Sequence, residues 1–343
     1  MSNQSLTENK FSLPRDVCPV CKSKDIAVSQ ANLLEFCDNF YLDALCTDLN
    51  ISKDDLKEYA VVHECSRCST VFCDPWLKYE VASEIFNVVY GQHNRGWDAL
   101  YGWLANKPVQ SFRALLDLAI DYVGPISTYG EYMCPFMGNL MFYRDEELQK
   151  IDKNTLYDAS ISYITARHQN AKLSADRKNK SEILRERSKA SLEKLQSLRK
   201  NKKEISIKRY LLHEASSLCW GHGCIGDGVN CKSLVGPLLA ANILTTQEAL
   251  GQNLKIDLIG VFNTLDHVTD PLGTLYDLLE ISSAVLLINH AQPIISKQHN
   301  FVFRPGFLDY LRGQGLSVTD LTNKVQYSST EINKDKIIAL IQK

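Results

Sequence analysis

Four cysteines near the amino end of the chain are spaced like the ligands of a structural metal site. Cys18 and Cys21 form one Cys-x-x-Cys pair, and Cys65 and Cys68 form a second. A closed zinc site takes four such ligands in a tetrahedron, each sulfur about 2.3 Å from the ion. The spacing therefore predicts one structural Zn²⁺ ion, and the alternative is four free thiols packed as small apolar side chains. Cys73 is predicted to be buried rather than a fifth ligand.

A second group of soft ligands occurs in the glycine-rich stretch CWGHGCIGDGVNC. It contains Cys219, His222, Cys224 and Cys231 within thirteen residues. A flexible backbone can gather such side chains around a metal ion, but their spacing matches no zinc ribbon or iron–sulfur motif. A glycine-rich binding loop whose cysteines hold no metal is the alternative.

An acid and a histidine, Asp266 and His267, follow the apolar run Ile256–Asn263. Imidazole titrates near neutral pH, so His267 is a candidate base for a reaction in which the acceptor loses a proton. Asp266 would help to orient the loop. The alternative is that His267 only caps the start of the next helix by hydrogen bonding. His299 is a second candidate base.

The carboxyl-terminal half of the chain must position these residues, and there apolar strands alternate with helices. The pattern predicts strands at Ile256–Asn263, Ala284–His290 and Leu316–Leu321, with a short one at Leu218–Trp220. It predicts helices at Pro271–Ile281 and Pro305–Arg312, the second ended by Gly313 and Gly315. Such alternation is typical of an α/β Rossmann-like architecture, whose ligands bind at the carboxyl ends of the strands.

Two earlier segments are predicted to be helical. Residues 81–125 carry aromatic side chains at helical spacing and form a connector. Residues 167–209 are dense in Lys, Arg, Glu and Ser, with apolar residues at three- and four-residue steps, which predicts a projecting helical arm. The arm could pair two chains as a homodimer, support a lid, contact nucleic acid or lie as a passive helix. Its interspersed acids disfavour nucleic acid.

The composition excludes several classes of protein. The chain has 343 residues, enough for about two domains, and is 45% apolar and 23% charged, as globular proteins are. Its net charge of -2 gives no general affinity for nucleic acid or an anionic membrane. Its longest apolar runs fall short of the roughly 18 residues of a spanning helix. The polar amino end carries no secretion signal, so we expect a cytoplasmic protein.

The acid-His region resembles the fourth-strand motif of class I S-adenosylmethionine-dependent methyltransferases. In Asp257–Leu272 (DLIGVFNTLDHVTDPL) a strand ends in an acid-His pair before a helix opened by Asp-Pro. Leu286–His290 is similar to the fifth strand, and Gln298–Phe301 to the following loop of many sugar and natural-product methyltransferases. The two cysteine pairs with Val71–Trp76 (VFCDPW) are similar to the zinc-binding module ahead of sugar C-methyltransferase-type domains.

The resemblance implies a domain organisation and a chemistry. Residues 1–80 would form the zinc module, and residues 126–343 a Rossmann-like methyltransferase domain into which the arm is inserted. The implied activity is methyl transfer from S-adenosylmethionine to a small polar acceptor, such as a sugar or nucleotide-sugar. The acid-His pair would belong to the active site, and no nucleic acid or membrane partner is implied.

The implied cofactor contacts come from the first and fourth strands. They are Glu131, Cys134, Gly138 and Asn263. Two departures from the family pattern support a second hypothesis, a methyltransferase-like scaffold that has lost catalysis and serves as a partner protein. Met133 and Pro135 stand where glycines would bring the backbone close to the cofactor. In addition, no acid closes the strand predicted near Trp220.

Overall fold

The computed structural model describes the two cysteine pairs and the strands and helices named below. It covers residues 15–29, 46, 50, 52–54, 61–74, 108–132, 193, 197, 207–213, 241–262, 264–268, 270–291, 301–324 and 336–343. Several residues that the sequence singles out lie outside this description, namely Cys134, Gly138, Cys219, Trp220, His222, Cys224, Cys231, Asn263 and His299. For His267 the backbone is described and the side chain is not.

Eleven strands are present in the described residues. They are β1 (Ile26–Val28), β2 (Val61–Cys65), β3 (Thr70–Asp74), β4 (Thr128–Tyr132), β5 (Lys208–His213), β6 (Ala241–Thr245), β7 (Leu258–Phe262), β8 (Val285–His290), β9 (Phe301–Phe303), β10 (Ser317–Asp320) and β11 (Lys336–Gln342). They form a four-stranded sheet in the order β1-β2-β3-β9 and a seven-stranded sheet in the order β10-β11-β8-β7-β4-β5-β6.

The larger sheet has the order of a doubly wound fold. Strands β6-β5-β4-β7-β8 follow the order 3-2-1-4-5 of a Rossmann sheet, with β4, β5 and β6 parallel to one another. Strand β11 runs antiparallel to both β8 and β10. All five residues of β7 are buried, as expected for a strand covered on both faces.

The helices begin and end where the local sequence dictates. They are α1 (Pro108–Val123), α2 (Thr246–Gly251), a short 3₁₀ helix (Leu265–His267), α3 (Pro271–Glu280) and α4 (Gly306–Gly313). Thr245 and Glu248 form a reciprocal capping box at the start of α2. The Asp270 carboxylate accepts a hydrogen bond from the Gly273 N–H at the start of α3. Beyond α4, Gly315 has a φ of +88°, a conformation that favours glycine.

Most of the predicted elements are confirmed. Strands β7, β8 and β10 and helices α3 and α4 lie within about two residues of their predicted bounds. Helix α1 lies inside the predicted connector, and Glu193 and Ser197 of the arm are helical and exposed. Among the described residues, no helix is both long and apolar enough to cross a membrane.

The second strand of the larger sheet was not predicted from the sequence. It is β5, beside β4, and the sequence pattern places its first two residues, Lys208 and Arg209, in the helical arm. Because these two residues are charged, the sequence pattern does not show that they begin a strand with the apolar run Tyr210–Leu212. Arg209 is only 1% exposed, so this arginine belongs to the sheet interior rather than to a solvated helix. The short strand predicted at Leu218–Trp220 lies outside the described residues.

The chain divides into two compact units, Met1–Val89 with Val261–Lys343 and Tyr90–Gly260. In the second unit, Asp257 joins the start of β7 to the start of β4. Its Oδ2 accepts hydrogen bonds from the Ser127 N–H, the Ser127 hydroxyl and the Thr128 N–H, at 2.7, 3.0 and 2.9 Å. Its own N–H donates to Thr128 Oγ1 at 2.7 Å. This clamp lies at the amino ends of both strands, away from the edge where Rossmann-like sheets bind ligands.

Candidate metal centre and cofactor site

The four cysteines of the two pairs come together as the sequence predicts. Their sulfur atoms all lie within 4.8 Å of one another. The Sγ atoms of Cys18 and Cys68 are 3.7 Å apart, and those of Cys21 and Cys65 are 3.5 Å apart. Two sulfurs bound tetrahedrally to one zinc ion are separated by about 3.8 Å, given Zn–S bonds of about 2.3 Å. The cluster therefore fits one four-coordinate metal ion.

Both cysteine pairs owe their shape to the same turn. The Lys22 N–H donates to the carbonyl of Cys18 at 2.9 Å, and the Ser69 N–H donates to the carbonyl of Cys65 at 2.9 Å. Lys22 and Ser69 have φ values of 60° and 53°, an uncommon left-handed conformation for residues other than glycine. Each turn folds the chain back so that both sulfurs of its pair face the same point.

Hydrogen bonding and burial shift the pKa values of the clustered thiols in different directions. The hydrogen bond from Cys68 lowers the pKa of Cys18 to about 5, and burial raises the pKa of Cys21 to about 11. The same bond to Cys18 raises the pKa of Cys68. A bound cation would displace the remaining protons of the cluster. Four thiolates leave no open position, so such a site is structural rather than catalytic.

Strand β9 completes the sheet that carries the cysteine cluster. It pairs antiparallel with β3, placing Phe301 opposite Phe72 and Phe303 opposite Thr70. Phe72 in turn stacks on His63 of β2, with ring centroids 5.5 Å apart. The predicted zinc module, residues 1–80, therefore shares its sheet with a segment more than two hundred residues downstream.

The first implied cofactor residue, Glu131, lies near the carboxyl end of β4. Its side chain is fully buried, and Oε1 accepts a hydrogen bond from the Tyr129 hydroxyl at 2.9 Å. Strand β4 is parallel to β5 and pairs Glu131 with Leu211, so both strands present their carboxyl ends at the same edge of the sheet. This is the edge at which Rossmann-like sheets bind nucleotides.

The acid-His pair lies on the 3₁₀ helix, which begins three residues after the last residue of β7. The Asp266 side chain is fully buried. Helix α3 has its own side-chain cap in Asp270, so its start does not need a cap from His267. This finding weakens the purely capping alternative for His267.

Sequence reasoning missed one acidic residue, Glu214. It follows directly after β5, the strand next to β4, although its own placement lies outside the described residues. In Rossmann-like folds an acid beyond the glycine loop binds the ribose hydroxyls, usually about twenty residues further on. Glu214 lies much further along the chain than that, because most of the predicted arm, residues 167–209, lies between β4 and β5 in the sequence. The apolar run Tyr210–Leu212 was the available signal, and the assignment of Arg209 to the arm obscured it.

No protein-family model and no curated protein matches the chain. Among solved structures it is similar to the N-terminal domain of EvdMO1 in the presence of SAH and D-fucose, at 7% identity and a TM-score of 0.35. That similarity covers 68% of this chain and 83% of that one. The same domain with SAH bound is 8% identical, at a TM-score of 0.35, over 71% and 84% of the two chains.

A further similarity is to the methyltransferase domain of bacterial CtHen1-CN. The identity is 11% and the TM-score 0.34, over 68% of this chain and 98% of that one. Similarities of this size carry no functional argument. The predicted Rossmann-like α/β fold is confirmed by the strand order and directions of the chain's own sheet.

Proposed function

We propose that the chain is an S-adenosylmethionine-dependent methyltransferase that acts on a small polar acceptor, such as a sugar or nucleotide-sugar. The observation that carries the proposal is the buried Glu131 near the carboxyl end of β4, beside a parallel strand that leads into a second acid. A buried carboxylate at this edge is well placed to bind the hydroxyls or amino group of a nucleoside cofactor. We identify this cofactor as S-adenosylmethionine because the sequence around Asp266 resembles the fourth-strand motif of the methyltransferases that use it.

Each cofactor residue has a distinct role in the proposal. Glu131, held by the Tyr129 hydroxyl, accepts hydrogen bonds from the cofactor. Glu214 accepts from its ribose hydroxyls. Cys134 and Gly138, which follow β4 in the sequence, are two further cofactor residues, and at Gly138 the missing side chain would let the backbone approach the cofactor closely. Asn263, immediately after β7, is the fourth cofactor residue.

The reaction requires positioning of the acceptor and removal of its proton. When bound, S-adenosylmethionine would supply an electrophilic methyl group, and its sulfur–methyl bond would break to leave neutral S-adenosylhomocysteine. His267 accepts the proton that the acceptor loses as its bond to the methyl group forms, and Asp266 keeps the loop of His267 in place. Positioning by the protein and general-base catalysis account for most of the acceleration expected of such a site.

We propose that Cys18, Cys21, Cys65 and Cys68 hold one structural Zn²⁺ ion. The proposal is supported by the four converging sulfurs and by sulfur separations close to those of a tetrahedral site. The metal-binding free energy of such a site is largely folding free energy. Zinc therefore contributes to the stability of the sheet β1-β2-β3-β9 and takes no part in the chemistry.

The scaffold hypothesis is the second candidate. It rests on two features of the sequence, the absent glycines and the absent ribose acid. Glu214, the residue after β5 in the sequence, weakens the second reason. Met133 and Pro135 still occupy glycine positions of the family pattern, so the first reason stands.

Calorimetry with S-adenosylmethionine and S-adenosylhomocysteine tests the proposal directly. We expect micromolar binding of both molecules to the full chain, with adenosine diphosphate as the control for nonspecific nucleotide binding. Transfer of a radiolabelled methyl group to members of a nucleotide-sugar panel then separates the enzyme from the scaffold. Absence of heat and of any thermal shift at millimolar cofactor would refute the cofactor proposal.

A further inference from the structure

Strand β9 is the physical link between the cysteine cluster and the segment that carries the acid-His pair. It has only three residues, all fully buried, and pairs with β3 immediately after the second cysteine pair. Strand β9 also contacts β8 and the 3₁₀ helix Leu265–His267. All of these elements belong to the same compact unit of the chain.

Side-chain contacts fasten the end of β9 to the cysteine turn. Nη1 of Arg304, the residue after β9, lies 2.9 Å from Oε1 of Glu64, the residue before Cys65. The Arg304 N–H also donates to the carbonyl of Ser69 at 3.4 Å. A Cβ at Gly306, the first residue of α4, would collide with Ser69 Oγ, so helix α4 begins against the turn that follows Cys68.

A row of aromatic side chains extends these contacts from β9 to helix α4. The ring centroids of Phe301 and Phe303 are 6.2 Å apart, and those of Phe303 and Phe307 are 4.5 Å apart. All three rings are fully buried. A three-residue strand has little stability of its own, so its place depends on β3 and on these rings. The position of β3 depends in turn on the turn at Cys65–Cys68.

We propose that the metal centre positions the acid-His segment through β9, with Arg304 and Glu64 as positioning residues. The cysteine cluster holds the Cys65–Ser69 turn, the turn holds β3 and Arg304, and β9 then supports the 3₁₀ helix that contains Asp266. The centre is thus an integral part of the reacting unit, not the core of a separate module. The inference rests on the proposed function only where it gives Asp266 and His267 a part in the reaction.

Hydrogen–deuterium exchange on the full chain, before and after zinc is removed by a chelator, tests this link. We expect exchange to become about tenfold faster in residues 61–74, 301–303 and 264–268, because the loss of the turn frees β9 and then the 3₁₀ helix. Exchange in β5 and α2, which belong to the other unit, should not change. Faster exchange confined to residues 61–74 would overturn the inference.

A variant that keeps all four cysteines distinguishes a positioning role of Arg304 from unfolding of the metal site. Arg304→Met should retain one zinc per chain and still speed exchange in residues 301–303 and 264–268 by several-fold. Arg304→Lys, which can keep an ion pair with Glu64, should restore most of the protection. Arg312→Met is the matched control, since Arg312 pairs with Asp309 of α4 and donates to the Val318 carbonyl of β10, neither of which belongs to β3 or β9.

If chelation unfolds the whole chain, the Arg304→Met variant tests the positioning role by itself. Unchanged exchange in both segments of that variant, with zinc retained, would overturn the positioning role. Zinc content and exchange are measured without cofactor, so this test of the positioning role does not depend on S-adenosylhomocysteine binding, to which Asn263, next to the 3₁₀ helix, is proposed to contribute. A chain that shows the zinc-dependent exchange but binds no S-adenosylhomocysteine would refute the proposed function and leave the positioning role intact.

Discussion

The hydroxyl of Tyr129 lies 2.9 Å from Oε1 of Glu131, two residues further along β4, and both side chains are fully buried. Residues two apart on a strand share a face of the sheet, so the tyrosine fixes the carboxylate without help from another element. A buried carboxylate held in this way loses little rotamer entropy on accepting hydrogen bonds from a ligand.

This pair predicts graded losses of cofactor affinity. Glu131→Gln removes the charged acceptor and should weaken S-adenosylhomocysteine binding by about 10- to 100-fold, the worth of a hydrogen bond to a charged group. Tyr129→Phe leaves the carboxylate but frees its rotamer, so we expect a loss of about three- to tenfold. Calorimetry measures both. Tyr132→Phe, one residue beyond Glu131 and on the opposite face, is the control; equal losses in all three variants would indicate general damage to β4.

The corrected position of the second strand predicts a role for Glu214. Glu214→Gln should weaken S-adenosylhomocysteine binding by about tenfold or more, because an amide is a poorer acceptor for two ribose hydroxyls than a carboxylate is. Glu248→Gln, which alters the capping box of α2, should lower the melting temperature slightly and leave the affinity unchanged. If Glu214→Gln binds as tightly as the wild type, Glu214 does not bind the ribose.

The elements with strong local signals were predictable from the sequence. The paired Cys-x-x-Cys spacing and the Asp-Pro start of α3 are encoded within a few residues, and both are confirmed. Strand β9 had no such signal: it has three residues, and its partner strand β3 lies far away along the chain. Strand β5 was concealed by Arg209, whose burial depends on tertiary contacts that no local pattern reveals. The roles of Cys134, Gly138 and Asn263 stay predictions.

The metal site predicts a contrast between two cysteines. Cys21→Ser removes one of four ligands, so we expect elemental analysis to show zinc falling from one per chain to well below one, with a lower melting temperature. Cys73 lies nearby on β3 but outside the cluster, and Cys73→Ser should keep its zinc. Wild-type protein purified without any bound metal would contradict the zinc proposal, as would equal zinc contents in the two variants.

Asp257 predicts a pH-dependent contribution to stability. Burial raises the pKa of Asp257, but the hydrogen bonds from Ser127 and Thr128 outweigh burial and leave this pKa below its usual value. A carboxyl whose pKa is lower in the folded state stabilises above its unfolded pKa of about 3.9, and that contribution is lost as pH falls through the folded pKa.

Asp257→Asn should therefore lower the melting temperature at pH 7 by about 2 °C, corresponding to about 1 kcal/mol for a partly exposed group. The difference from wild type should shrink below about pH 4. Cofactor affinity should not change, because the clamp lies at the amino ends of the strands. Asp121→Asn, on an exposed position of α1, controls for the loss of one charge. A difference that persists at pH 2.5 would mean that the amide disturbs packing rather than losing a charge.

His267 lies on the 3₁₀ helix beside the buried Asp266, while Asp270 caps the next helix. If His267 is the base, His267→Asn should keep the fold and the cofactor affinity and lower turnover by about two to four powers of ten, the usual worth of general-base catalysis. If its side chain only holds the loop, the same change should cost about 1 kcal/mol of unfolding free energy and leave turnover nearly intact. Melting temperature and methyl transfer, measured on this one variant, distinguish the two roles. His299→Asn is the matched comparison, since a stable and fully active His267→Asn chain would move the base to His299.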